Sequence, residues 1–335
     1  MAVFSCNDRT RLVPAYSEVG LTCEAGTFTL ARASPSAMLV LDRSGSMANA
    51  FGNGTRWSTL AQTLAATLPQ VASDLELGAY LFPAGDGAAQ CSVPGAAALL
   101  PATGQSAELI ALLDQTAPGG ATPTADAVNA AAIALDTYAS QGKSLALVLA
   151  TDGAPNCNPS LDLSSCTCPA QSCASALQCL DDARTESRVA AWAAQGIPTW
   201  VIGIATDDTS ASVLDALAKA GGRPSGGAHD YYSASSTAEL TEALSTIQSQ
   251  LRSCAFTTPS VPSSSGSIVV TLDGAVVPFD ASGADGWEWS ALDRGELVLR
   301  GSWCARAEQS ATATLIAAIT CDADAGVDAG NAIAE

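Results

Sequence analysis

The sequence predicts an α/β fold: a doubly wound, mainly parallel sheet with helices on both faces, joined to a small β-rich C-terminal module. Three observations predict it. From Ser36 onward, short apolar runs alternate with stretches of helical periodicity. The runs at 37–42, 144–150 and 197–204 are apolar at successive positions rather than alternate ones, as strands covered on both faces must be. Two of them, Ala37–Leu41 and Leu147–Ala150, lead directly into an aspartate (Asp42) or a Thr–Asp pair (Thr151-Asp152).

Residues 1–33 are polar and irregular, with a short strand expected at 27–30. A helix is expected over 57–73, where Leu60, Leu64, Leu68 and Val71 recur at helical spacing. Residues 75–82 read as the next strand, and 95–101 as its antiparallel partner at a sheet edge. A short helix over 106–116 precedes a longer one from Pro123 to a stop near Gly142, with proline inside the start and glycine past the end. The 144–150 strand follows, then a helix at 181–195 and the 197–204 strand. A helix at 210–220, a weak strand at 229–232 and a helix at 236–252 complete the alternation. Repeated βαβ units imply parallel strands. In such sheets ligands bind beyond the carboxyl ends of strands where the strand order reverses.

The expected organisation is an N-terminal segment 1–33, an α/β domain 34–254 carrying a Cys-rich insertion at 156–180, a β-rich module 255–321 and a disordered tail 322–335. The module begins with a Pro/Ser-rich linker. Its hairpin is marked by Asp273-Gly274 between the apolar runs 268–272 and 275–279. Trp287, Trp289 and Trp303 bracket further strands near 296–300 and 313–319, and are expected in the core rather than on a binding surface. The tail is low-complexity Ala, Asp and Gly.

A chain of 335 residues with 48% apolar composition buries a large core. Its net charge of −19 argues against nucleic acid, whose phosphates require Lys and Arg, and against an anionic membrane surface. No apolar run is long enough to span a bilayer. Eleven cysteines without a CxxC…CxxC pattern suggest an oxidising compartment, hence an extracytoplasmic, secreted or cell-surface protein. The opening Met1-Ala2-Val3-Phe4-Ser5-Cys6 carries no basic or apolar leader, the expectation being a mature form or a mis-started gene product. Cys6 is a candidate for lipidation; the alternative is a Cys6–Cys23 disulfide. In the insertion, Cys166, Cys168, Cys173 and Cys179 have a spacing that matches no common zinc finger, so disulfides are expected. With Cys157 they number five and need an outside partner, for which Cys91 is the candidate. Cys254, Cys304 and Cys321 are expected to tie down the β-rich module.

Three segments carry the chemistry. Asp42-Arg43-Ser44-Gly45-Ser46 places three short oxygen-bearing side chains where a buried strand meets solvent. Gly119-Gly120-Ala121-Thr122-Pro123-Thr124 adds a hydroxyl at a loop-to-helix junction, and Thr151-Asp152-Gly153 a second carboxylate. Such ligands suit a hard divalent cation, Mg²⁺ or Mn²⁺ with Ca²⁺ less suited, rather than zinc or copper. Taken singly, Asp42 and Ser44 could equally cap a helix or turn.

In this order the three segments resemble the von Willebrand factor A domain, of the bacterial cell-surface type, with its metal-ion-dependent adhesion site. The resemblance covers residues 34 to 254. It implies Ser44, Ser46 and Thr122 as direct metal ligands, and Asp42 and Asp152 as carboxylates holding the metal's waters. It also implies a binding function, in which a partner protein's Asp or Glu completes the coordination, and a switch that moves the last helix, here 236–252. A disulfide at Cys254 would restrict that movement. The alternatives are a scaffold whose metal only stabilises the fold, and a hydrolase. Against an enzyme, the single histidine, His229, lies in a glycine-rich loop, and the chain lacks a G-x-S-x-G elbow and a P-loop.

Overall fold

The computed structural model describes residues 23–70, 75–138, 143–161, 179–251, 254–262, 268–292, 295–308 and 313–321. Its strands are β1 (Gly26–Thr29), β2 (Ala31–Arg32), β3 (Ser34–Asp42), β4 (Ala50–Phe51), β5 (Gly54–Thr55), β6 (Glu76–Phe82), β7 (Leu99–Ala102), β8 (Lys143–Thr151), β9 (Thr199–Ile204) and β10 (Tyr232–Ala234). They continue with β11 (Ala255–Thr257), β12 (Ile268–Leu272), β13 (Ala275–Val277), β14 (Gly286–Ala291), β15 (Glu296–Arg300) and β16 (Leu315–Ile319). The helices are α1 (Arg56–Thr67), α2 (Ser106–Asp114), α3 (Thr124–Tyr138), α4 (Asp182–Ala194), α5 (Asp208–Ala220), α6 (Thr237–Leu251) and α7 (Gly301–Glu308).

The central sheet runs β10-β9-β8-β3-β6-β7. Every pairing is parallel except β6 with the edge strand β7. Alternate residues of one strand feed opposite cores. Leu39 and Leu41 pack with Leu60, Leu64, Leu113 and Leu240 from α1, α2 and α6. Met38 and Val40 pack with Val128, Leu135, Val189 and Leu214 from α3, α4 and α5. The period-two alternation of a strand thus explains why both of its faces are apolar. Chain order moves from β3 outward to β6, then returns to the other flank of β3 as β8. The order therefore reverses between β3 and β8, beside the C-terminal ends that carry Asp42 and Asp152.

The C-terminal module is a sandwich of two four-stranded antiparallel sheets, β1-β16-β12-β13 and β14-β15-β11-β2. Phe256, Val270, Leu272, Trp287, Leu297, Leu299 and Leu315 fill the space between them. The Asp273-Gly274 turn takes φ of 49° and 80°, the left-handed geometry that closes a two-residue hairpin. Three features depart from expectation. The N-terminal segment belongs to this sandwich: the strand expected at 27–30 is β1, with Gly26 opposite Ile319, and β2 sets Arg32 opposite Phe256. The anticipated linker contains β11, an inner strand of its sheet. The weak strand expected at 229–232 begins only at Tyr232.

Disulfides join Cys23 to Cys321, Cys91 to Cys157 and Cys254 to Cys304; Cys179 is also disulfide-bonded. The Cys23–Cys321 bond replaces the Cys6–Cys23 alternative, and Cys91 is the outside partner of the insertion. Cys6, Cys166, Cys168, Cys173 and the tail 322–335 lie outside the described residues. No helix among the described residues is long and apolar enough to cross a membrane.

Candidate metal centre

Asp42 closes β3 in full burial. Its Oδ1 accepts the Ser44 N–H at 2.7 Å, and its Oδ2 accepts the Thr151 hydroxyl at 2.6 Å. The second bond stitches the ends of β3 and β8 together across the switch point. The chain then makes one 3-10 turn, Gly45–Ala48, held down by the fully buried Met47. This turn brings Ser44 Oγ to 3.1 Å from Ser46 Oγ. Ser46 Oγ in turn donates to Asp152 Oδ1 at 2.8 Å. Four of the five sequence-indicated residues thus form one hydrogen-bonded chain.

Thr122 reaches the same rim through the backbone. Gly45 N–H donates to Gly120 O at 2.9 Å, and Gly119 N–H to Arg43 O at 2.7 Å. Gly120 has φ of 86°, and a Cβ there would lie 2.6 Å from both Gly85 O and Pro83 Cγ. Only glycine allows that approach. Asn156 brackets Thr122, accepting its N–H at 2.7 Å with Oδ1 and donating its own N–H to Thr122 O at 3.1 Å. The neighbouring Cys157–Cys91 bond and the Ala121 N–H to Gln90 O bond fix this loop from the other side.

Sequence reasoning missed Arg56. The first residue of α1, it follows Thr55, whose Oγ1 caps the helix by accepting Ser58 N–H at 3.0 Å. Its Nη1 donates to Asp152 Oδ2 at 2.6 Å and its Nη2 to Ala205 O at 3.0 Å. Nothing in the sequence separates this arginine from a surface charge at a helix start. Asn156 and Thr151 were also unflagged, although Thr151 adjoins Asp152 at a strand end.

Burial, and next the charge of Asp152, push Asp42 up to about 7. Asp152 is also raised by burial, opposed by hydrogen bonds from Arg56 and Ser46. Two carboxylates buried side by side, with only one arginine between them, are a strained electrostatic arrangement that a cation relieves. The five sequence-indicated side chains offer only oxygen: three hydroxyls and two carboxylates. Among the described residues no three His, Cys, Asp or Glu side chains cluster as a metal-binding group. The residues present therefore fit a hard cation held largely by neutral oxygens, and do not fit zinc. His229 lies away from this rim, its Nδ1 3.2 Å from Asp215 Oδ2.

No family model matches the chain, and no curated protein matches it. Solved structures do. The PilB minor pilin from Streptococcus sanguinis is 19% identical, with a TM-score of 0.46 over 66% of this chain and 62% of that one. The pilus adhesin SpaC from Lactobacillus rhamnosus GG is 13% identical, with a TM-score of 0.49 over 86% of this chain and 39% of that one. The vWF domain of the type V pili tip protein Mfa5 from Porphyromonas gingivalis is 11% identical, with a TM-score of 0.43 over 66% of this chain and 96% of that one. The chain thus spans less than two thirds of the length of the pilin and the adhesin.

Proposed function

We propose that this protein is a metal-dependent adhesion or assembly module, in which a divalent cation held at the β3–β8 switch point accepts a carboxylate from a partner protein. The observation that carries the reading is the hydrogen-bonded run Asp42–Ser44–Ser46–Asp152 at the ends of two adjacent parallel strands. Ser44, Ser46 and Thr122 would hold Mg²⁺ or Mn²⁺ through neutral hydroxyls, with Asp42 and Asp152 behind them. A cation so held keeps much of its positive charge and supplies an electrophilic centre for an Asp or Glu side chain. Thr151 and Arg56 keep the two carboxylates oriented toward the site. The chain's charge of −19 repels acidic partners at long range, so recognition rests on the local field, with the repulsion screened beyond about 8 Å at physiological salt.

The protein acts by binding and not by turnover in this reading, outside the cytoplasm and at a cell surface. Three disulfides support the location. The test is capture of surface or matrix proteins by the immobilised chain with Mg²⁺, with EDTA, and with Thr122→Ala. Capture abolished by EDTA and by the substitution supports the proposal. Capture that survives both removes the metal from the partner interface and leaves it a structural part of the fold.

A further inference from the structure

At the end of the sheet opposite Asp42 and Asp152, the first residues of β8 and β9 and the turn after α5 face the sandwich. Between them lies a cavity of about 670 Å³. Volumes of this order, at the seam of two structural units, are typical of small-molecule sites. Leu145, Pro198, Trp200 and Val298 supply an apolar lining.

The charges in the walls are unequal in their partners. Arg300 Nε pairs with Glu288 Oε1 at 2.8 Å, and Glu296 Oε1 accepts the Ser290 hydroxyl at 2.8 Å. Arg223 has no carboxylate within ion-pair range among the described residues. Its guanidinium carbon stands 5.0 Å from the Trp200 ring centroid. Its Nη1 reaches only Gly222 O at 3.4 Å, and its Nε is buried without a hydrogen-bond partner. Burial, then the charge of Arg300, lowers it to about 10. A guanidinium largely removed from water is costly unless an acceptor satisfies its N–H groups, and its two Nη groups can meet a carboxylate in two parallel bonds. In a chain with 33 acidic residues, an arginine left unpaired in a cavity wall marks the place of an outside acceptor.

We infer that this cavity binds a small organic carboxylate, its acid group on Arg223 and its apolar body against Trp200, Leu145 and Val298. Glu288 and Glu296 line the same cavity and their charges also act on Arg223, so a monoanion is favoured over a doubly charged phosphate. The ligand is either a free acid or the C-terminal residue of a peptide. This inference does not rest on the metal centre.

The experiment titrates the full chain with N-acetylphenylalanine, its amide and 3-phenylpropionate, followed by calorimetry and by NMR of the tryptophan indole N–H groups. The acid should bind about tenfold or more tighter than the amide, the factor expected of a charge-assisted bond. Arg223→Gln should abolish that preference, and Arg223→Lys, which keeps the charge, should retain part of it. EDTA should leave the affinities unchanged. Binding of 3-phenylpropionate as well identifies a free acid as sufficient; preference for the acetylated amino acid identifies a peptide terminus. Equal binding of acid and amide overturns the inference, as does a preference that persists in Arg223→Gln or disappears with EDTA. Absence of binding by either acid at millimolar concentration also overturns it.

Discussion

Arg56 and Asp152 form an ion pair at 2.6 Å, although 96 residues separate them. The pair joins the start of α1 to the loop after β8. Asp152 is buried and Arg56 largely so, and Ser46 occupies the other carboxylate oxygen. With both carboxylates ionised and Arg56 in place, the bare site has a formal charge of −1; a bound divalent cation brings it to +1. Arg56 thus ties Asp152 into the site without a cation, and in the proposed function a loaded site of net positive charge would still attract an acid.

Arg56→Met strands Asp152 without its cation, so melting in EDTA should correspond to a loss of about 3 kcal/mol. Removing a positive charge beside the site should also tighten Mg²⁺ roughly tenfold. Melting curves in EDTA and a Mg²⁺ titration check both directions. A purely structural arginine would lower stability equally with and without Mg²⁺ and leave affinity unchanged.

Met47 is fully buried beneath the turn that carries Ser44 and Ser46. Met47→Ala opens a cavity there and should cost about 2–5 kcal/mol. Because the turn loses its anchor, Mg²⁺ affinity should fall as well, which the same titration measures. Lost stability with unchanged affinity would show that the turn is positioned by its hydrogen bonds alone.

The Cys254–Cys304 bond follows α6 and fastens the chain to α7. The double substitution to serine opens a loop with a sequence separation of 50, worth about 4 kcal/mol in chain-entropy terms. Hydrogen exchange in the last turns of α6 should accelerate. Unchanged exchange there would contradict a restraining role for this bond on the final helix of the α/β domain.

Asp280 accepts hydrogen bonds from the Ser282 hydroxyl at 2.6 Å and from the N–H groups of Asp285, Ser282 and Ala284 at 2.9–3.0 Å. These bonds, the Ser282 hydroxyl first, pull it down from 3.8 to about 2. Because the folded value lies below the unfolded one, its stabilisation is complete above about pH 4 and lost as pH falls through 2. Amide protection at 282–285, taken relative to the intrinsic exchange rate, should fall across that window, and Asp280→Ala should lower it above about pH 4 and change it little below about pH 2. Protection in the substituted loop that still fell across the window would assign the effect to another group.

Much of this arrangement was legible because local patterns encode it. Leu39, Leu41, Met38 and Val40 serve opposite faces of one strand, so the run had to be apolar throughout. Asp42 and Asp152 end or follow such runs, which put them at the sheet's carboxyl edge. What escaped reading depends on distant pairing. The strand expected at 27–30 is present as Gly26–Thr29, but its partner β16 lies nearly 300 residues later in the chain, and Ala255–Thr257 is too short to announce itself without β15 and β2. Arg56 gained its meaning from Asp152, and Arg223 from a wall built by the other module. Neither contact leaves a local trace.

Whether Ser44, Ser46, Thr122, Asp42 and Asp152 hold a cation is measured by Mn²⁺ titration followed by water-proton relaxation. One saturable site per chain is expected, displaced by Mg²⁺ and lost in Ser46→Ala and Asp152→Asn. Absence of a saturable site in the unsubstituted protein, or binding that survives both substitutions, would contradict the proposed metal centre.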